Sequence, residues 1–452
     1  MSKKKPKPKP NDVIIVGAGI AGCVLAFHLA TADRKVIVFE KKTREEMGPD
    51  WCDSVEKEAF SFSGIPPPKG KEKKAERDHA AILSPDFSKI IHLDSYNQWI
   101  VDRKLLHERL VGMAEKAGAE FVFETEIVEP MGKGQWVVGV KKKDGKVENA
   151  RLIVDCSGEE RILGKNIEIL DLNLKLPETD IVDAYRELHK VDSKDIEWGG
   201  HKIEQNVLYY RYGYEKGYSW LNFEDLEHLD IGAGVGKGFS NRSAKAIVND
   251  YINSNKEIQK EKLRGGGGKI VVRRPLTLVW YGFMMVGEAA AQVLPSMGFG
   301  TGSSMKAAKI AAEVALKALQ RKELSIDGLW EYQVRYIKER GRDVAALDMM
   351  RNGLQQFSEE EASFLINKGI FSKNDFEKLI NAKYPKVNIF KQIDSMLKGI
   401  SRPKLMWKMR KVAQRSNKIF SHYRKMPKEY DSKKYLAWML GHMHLFEEIR
   451  KE

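Results

Sequence analysis

Hydrophobic and polar positions along this chain switch between strand-like runs and helical spacing. Val13 to Val16 form an unbroken apolar run of the kind that makes a buried parallel strand. A helix is expected from about Ala21 to Thr31, and a second strand from Val36 to Phe39, ending in Glu40. Lys41 to Asp78 is polar, with P-P-P-K-G-K-E-K-K inside it, and reads as a long surface loop or excursion. Trp99 to Ala117 reads as a helix, with Asp102 as its N-cap. Ala119 to Glu129, Trp136 to Lys143 and Ala150 to Asp155 are strand candidates, and Asp144-Gly145 signals a hairpin between two of them. From about Asn166 to Lys269 short alternating runs dominate, such as Val207 to Tyr212 and Leu229 to Val235. They predict a separate sheet. Gly265 to Gly268 reads as a flexible connector. Apolar strand and helix return from Ile270 to Gln320, and beyond Ser325 the pattern is helical to the end.

This order predicts an α/β chain of several parts: a basic, solvated tail over 1–10; a Rossmann-like domain over 11–165 and 270–325; an inserted antiparallel-sheet substrate domain over 166–269; and a helical C-terminal region over 326–452. With 42% hydrophobic and 31% charged residues among 452, the chain is globular, not disordered. No apolar stretch approaches the ~18 residues of a membrane span, and the charged N-terminus has no apolar core after it, so it is not a secretory signal. The three cysteines, Cys23, Cys52 and Cys156, make neither a disulfide framework nor a zinc spacing, which fits a cytoplasmic compartment. His442 and His444 diverge on a helix, so no metal site is expected. The net charge of +14 attracts anionic partners: acidic proteins, acidic lipid surfaces or nucleic acid.

The chemistry begins at Gly17, Gly19 and Gly22, in G-x-G-x-x-G spacing between the first strand and helix. The first glycine permits the tight turn, the second admits a pyrophosphate to the backbone, and the third lets helix and strand pack. The helix start offers free N–H groups and its positive dipole end to phosphate. Glu40 is placed to accept from a ribose diol. Two further segments point to a flavin. Leu152 to Gly158 is a strand ending in Asp-x-x-Gly, and Met284 to Gly302 delivers Glu288 and then Pro295, Gly298, Gly300 and Gly302 before a helix. A glycine-rich helix start suits the anionic edge of a reduced isoalloxazine.

Over roughly residues 11 to 320 the chain resembles the geranylgeranyl reductase family, the archaeal flavoproteins that saturate isoprenoid lipid chains. The resemblance is carried by E-M-G-P-D-W-C (Glu46 to Cys52), by Asp102, Arg103 and Leu110, by Arg273, Arg274 and Pro275, and by Tyr218, Trp220 and Phe223 in an aromatic motif. The chain departs from the family at Glu215 and Glu224, which replace two prolines of that motif, and in its spacing from Trp220 to Phe223. Glu288 stands for the usual aspartate, and Asp53 for a glycine. The resemblance implies the p-hydroxybenzoate hydroxylase-like flavoprotein architecture and FAD as cofactor. It assigns Gly17, Gly19, Gly22 and Glu40, with Ile20, Ala21 and Lys41, to the adenosine and pyrophosphate. Arg103 goes to the phosphates, where the alternative is a helix-start salt bridge. Glu288, Gly298, Gly300 and Thr301 go to the ribityl–isoalloxazine end, with Cys52 and Ile127 also in the cofactor set. Tyr218, Trp220 and Phe223 would line a prenyl cavity, the alternative being ordinary core aromatics. Cys52 would be a proton donor or gate, or else a buried thiol acting as a small hydrophobe.

The implied activity is reduction of C=C bonds of geranylgeranyl chains in membrane lipids or their precursors, by hydride from reduced flavin. No second nicotinamide clamp is evident, so an acidic ferredoxin or another reductant is the expected donor. Ser401 to Lys428 has ten Lys or Arg and no acid, interleaved with Leu405, Met406, Trp407, Met409, Val412, Ile419 and Phe420. On a helix this makes an apolar stripe flanked by cations, suited either to packing or to an anionic membrane at the inner face of the cell. Nucleic acid is disfavoured, since no reading motif accompanies it. Other readings are a flavin monooxygenase or halogenase on the same fold, although the halogenase W-x-W-x-I-P motif is missing, and a basic scaffold with a vestigial flavin fold.

Overall fold

The computed structural model describes residues 11–167, 177–193, 195–386 and 389–450. The basic tail expected over 1–10 lies outside them.

The apolar run at the N-terminus is the centre of a mainly parallel sheet. Strand Asn11–Val16 pairs in parallel with Val36–Phe39 on one side and Val147–Asp155 on the other. Glu120–Val122 and Phe283–Met285 extend the sheet in parallel at the two flanks. Val13, Ile14 and Ile15 are wholly buried, as a strand covered on both faces requires. Helix Ile20–Thr31 packs against helices Arg103–Lys116 and Thr301–Arg321. The expected meander is present: Ile127–Lys133, Trp136–Lys142 and Val147–Asp155 run antiparallel, and Gly145 supplies the positive φ of the turn. Asp102 caps the helix as expected, accepting from the Lys104 and Leu105 N–H groups. The helix starts at Arg103, because Gln98–Asp102 is a strand.

The second sheet has seven strands, in the order Ile258–Val271, Ile181–Val191, His228–Gly236, Tyr218–Phe223, Val207–Tyr212, His79–Leu83, Ile90–Leu93. Its last two strands come from the stretch that the sequence pattern placed with the first domain. Along Tyr218–Phe223 the pleat sends Tyr218 and Trp220 to one face, while Leu221 and Phe223 join the core beneath helix Ala244–Ser254.

Two expectations are corrected here. Lys41 to Asp78 is not a surface loop. It forms strand Cys52–Glu56, helix Lys57–Ser63 and strand Lys73–Arg77, and both strands pair with Gln98–Asp102 in a small sheet. Nor is Gly265 to Gly268 a connector. It lies inside the fourteen-residue strand Ile258–Val271, and at its start a side chain would collide: a Cβ on Gly265 would stand 2.3 Å from the Arg186 carbonyl oxygen.

Beyond Ser325, which caps helix Ile326–Tyr336, the chain is helical as expected. The stripe of helix Pro403–Tyr423 faces the protein. Leu405, Met406, Val412 and Ile419 are buried, and Val412 seats against Gly353 of helix Arg342–Leu354. Among the described residues no helix is long and apolar enough to cross a membrane.

Candidate flavin site

A cavity of about 670 Å3 opens between the parallel sheet and the second sheet. The glycine loop after Val16 forms one end. Gly17 has φ +98°, and a Cβ there would lie 2.4 Å from the Cys156 carbonyl oxygen. A Cβ on Gly22 would lie 2.0 Å from the Gly17 carbonyl oxygen, so this glycine serves helix–strand contact beneath the loop. Gly19 differs: nothing stands within 4 Å of its missing Cβ, and it is the N-cap of helix Ile20–Thr31 with no side-chain cap bond. An open glycine at an uncapped helix start is a cradle for phosphate. Glu40 accepts from the Ala18 N–H at 2.9 Å and the Lys42 N–H at 3.0 Å, which fixes its carboxylate at the end of the second strand.

Every residue expected to hold the cofactor lines this cavity except Gly22. Asp155, the acid of the Asp-x-x-Gly segment, is buried and organises the next loop instead. It accepts from Ser157, from Leu163 N–H at 2.9 Å and from Gly164 N–H at 2.8 Å. That loop carries Gly158 to the cavity edge.

At the other end, Gly287 brings the second glycine segment against the first helix: its missing Cβ would lie 2.8 Å from the Ala21 Cβ. Glu288 accepts from the Val271 N–H at 3.2 Å. Its carboxyl lines the cavity, where desolvation pushes its pKa up to about 7. Gly298 and Gly300 lead into helix Thr301–Arg321, and the Tyr218 hydroxyl donates to the Met297 carbonyl just before them.

Cys52 lines the cavity and is almost fully buried. The Arg264 guanidinium donates to its sulfur at 3.1 Å and also holds Glu224. Burial, reinforced by the nearby Glu224 carboxylate, pushes the thiol pKa up, so Cys52 keeps its proton at neutral pH. Glu224 thus forms an ion pair with Arg264 behind the cysteine. Arg103 pairs with Asp53, while its Nε has no protein partner. Burial works against the Asp53 charge, but Arg103 and Arg186 outweigh it and hold its carboxyl below the usual range.

Tyr218 and Trp220 both stand on the cavity wall. Phe223 does not. It is wholly buried on the opposite face of the sheet, because it stands three positions after Trp220, an odd step in the pleat. The sequence pattern missed Arg186 and Asp230. Arg186 makes a two-pronged contact to Asp230, at 2.9 and 2.6 Å, and reaches Asp53 at 3.0 Å. Trp220 Nε1 donates to Asp230 at 2.8 Å, and the Arg186 guanidinium lies 5.6 Å from the Trp220 ring centre. Charged residues on alternating strands look like the wet face; here they form the polar end of the cavity. His107 also lines it, with its pKa lowered to about 3 by burial and by the Arg103 charge.

The residues therefore fit a dinucleotide at one end and its reactive group at the other. The family of FAD dependent oxidoreductases matches residues 12–48. Along most of its length the chain is similar to the digeranylgeranylglycerophospholipid reductase of Sulfolobus acidocaldarius, 26% identical and covering 93% of this chain and 94% of that protein. It is 27% identical to digeranylgeranylglycerophospholipid reductase 1 of Methanosphaera stadtmanae, over 79% of this chain and 88% of that protein. Among solved structures it is similar in fold to a geranylgeranyl bacteriochlorophyll reductase-like protein from Thermoplasma acidophilum (TM-score 0.72, 17% identity, 89% and 99% of the two chains). The flavin-dependent brominase Bmp2 shares the fold at TM-score 0.59 and 16% identity, over 91% and 100%. The architecture is that of the p-hydroxybenzoate hydroxylase-like flavoproteins, and the cofactor is FAD.

Proposed function

We propose that this FAD-dependent oxidoreductase, similar over 93% of its length to a digeranylgeranylglycerophospholipid reductase, saturates C=C bonds in the geranylgeranyl chains of a membrane lipid or its precursor. The observation that carries this reading is one continuous cavity, running from Gly19 and Glu40 to the wall of Tyr218 and Trp220. A ligand on that wall and a dinucleotide on those loops share the same cavity.

Bound FAD, when reduced, supplies the hydride. The protein's part is orientation, exclusion of water and a proton. Gly19 and the helix start behind it receive the pyrophosphate, and Glu40 receives the adenosine ribose. Arg103, already turned to the cavity, supplies positive charge for the phosphates. Glu288, Gly298, Gly300 and Thr301 surround the ribityl and isoalloxazine end. Tyr218 and Trp220 offer ring faces to an isoprenoid chain, and Trp220 is locked in place by Asp230. An isolated alkene has no carbonyl to polarise, so a nearby acid is required. Cys52 is the candidate at the cavity wall: burial keeps its thiol protonated but makes it a weak acid, so donation relies on Arg264, 3.1 Å from the sulfur, to stabilise the thiolate, which then takes a proton from solvent. An acidic one-electron protein, of ferredoxin type, reloads the flavin.

Anaerobic incubation of dithionite-reduced enzyme with a geranylgeranylated glycerolipid tests the reading. Mass spectrometry is expected to show two added hydrogens per bond reduced. Incorporation of oxygen or halide in air, with no hydrogen gain without it, would replace it by the monooxygenase or halogenase chemistry known on this fold. A colourless protein that takes up no FAD would leave only the scaffold reading.

A further inference from the structure

We propose that the corner between helices Ile389–Lys398 and Pro403–Tyr423 docks the protein on an anionic lipid bilayer. The proposal rests on the lipid-reductase reading for its purpose, but its observations are separate from the flavin site.

Four large apolar side chains crowd this corner and face outward. Met396 is 51% exposed, Leu397 66%, Ile400 77% and Trp407 59%. They fall within twelve residues, around a turn in which Gly399 passes close to Met406. The rest of the apolar stripe on Pro403–Tyr423 is used inside the protein, which leaves Trp407 outside it. They are ringed by cations. No acid occurs from Ser395 to Lys428. Lys398, Arg402 and Lys408 are matched by Asp394, Glu360 and Glu361. Lys404 and Arg410 are exposed beside them, and the Lys411 ammonium lies over the Trp407 ring at 3.8 Å.

An apolar tip with an indole and flexible cations at its rim is what a bilayer interface accepts. The apolar side chains enter the acyl boundary while the ammonium groups reach lipid phosphates. A second copy of this chain is a poorer occupant, since a two-fold contact would set the same cations against each other.

Behind the corner lie packed apolar side chains. The inner sides of Met396 and Met406 line a small apolar cavity of about 50 Å3, together with Phe371 and Tyr384. From Phe371 a row of ring contacts runs inward: to Phe376 at 5.9 Å, to Tyr212 at 5.5 Å, and to Tyr218 on the main cavity wall at 6.4 Å.

Co-sedimentation of the full-length holoprotein tests the proposal. The probes are vesicles of phosphatidylcholine alone and of phosphatidylcholine mixed with phosphatidylglycerol. The protein is expected to bind the mixed vesicles, more weakly as salt rises. Replacing Leu397, Ile400 and Trp407 together by Ser is expected to lower that binding about tenfold or more, with FAD content, thermal unfolding and turnover of detergent-dispersed lipid unchanged. If the triple variant unfolds, Lys404→Glu with Arg410→Glu gives the second reading: it is expected to abolish the preference for the anionic vesicles. Wild-type protein that ignores the mixed vesicles would overturn the proposal. So would folded variants that bind as well as wild type, or a dimer in solution that the triple variant dissociates. Vesicle binding is read without turnover. Protein that binds vesicles but reduces no lipid would sink the proposed function and leave the docking surface standing.

Discussion

Glu288 accepts from the Val271 N–H while its carboxyl stays inside the cavity. In the apoprotein burial holds it at about 7, against 4.5 for a free glutamate. The sign of the stability effect follows. Below the free value both states carry the proton, and Glu288 contributes nothing. As pH rises towards 7 the unfolded chain loses its proton first, so the folded state loses ground. Above 7 the whole penalty is present, on the order of 3 kcal/mol. Apoprotein unfolded by urea is therefore expected to lose stability from this group between about pH 5 and about pH 8. Glu288→Gln is expected to flatten that part of the profile. An unchanged profile in the variant would mean that the carboxyl is not the group responsible. At this scale the sequence was legible where a residue's role follows from backbone geometry. Gly17, Gly19 and Gly22 have the three different surroundings that their spacing implies. It was not legible for Arg186 and Asp230, because their significance lies in a meeting between strands more than forty residues apart.

Among the elements, the long strand Ile258–Val271 shows why pattern alone misleads. Four consecutive glycines carry no alternation of apolar and polar side chains, so nothing in the sequence marks them as strand. The structure needs them there for different reasons along the run. Gly265 has φ +133°, with the Arg186 carbonyl oxygen 2.3 Å from where its Cβ would be. Gly268, three residues on, lines the cavity and has nothing within 4 Å of that position. Gly265→Ala is expected to destabilise the protein by about 1–3 kcal/mol, through strain and through separation from strand Ile181–Val191. Gly268→Ala is expected to stay within about 0.5 kcal/mol of wild type. Urea unfolding of the two variants measures this, and equal losses would return the run to the role of a simple spacer. The strands hidden between Lys41 and Asp78 were missed for a related reason. They are edge strands of a three-stranded sheet, short and rich in charge, so their exposed positions mask the buried ones such as Cys52 and Val55. The capped helices, by contrast, begin where Asp102 and Ser325 indicate.

For the molecule as a whole, the charge of +14 bears on how electrons reach the flavin. On the proposed reading, the dinucleotide fingerprint Gly17 to Glu40 receives FAD, and the reductant arrives as a transient partner. A protein of strong positive charge concentrates an acidic partner near its surface and raises the rate of encounter, and salt removes that advantage. The field is screened over about 10 Å at 0.1 M ionic strength and about 3 Å at 1 M. The bound flavin is therefore expected to be reduced by an acidic ferredoxin at a rate that falls about tenfold or more as salt rises over that range. Photoreduction by an uncharged deazaflavin, which gains nothing from the field, is expected to respond little. Stopped-flow absorbance of the flavin band under anaerobic conditions reads both. A ferredoxin rate as flat with salt as the deazaflavin rate would separate the basic surface from electron delivery. The cations would then serve the lipid surface alone, and Lys404→Glu with Arg410→Glu would alter vesicle binding while leaving the ferredoxin rate untouched.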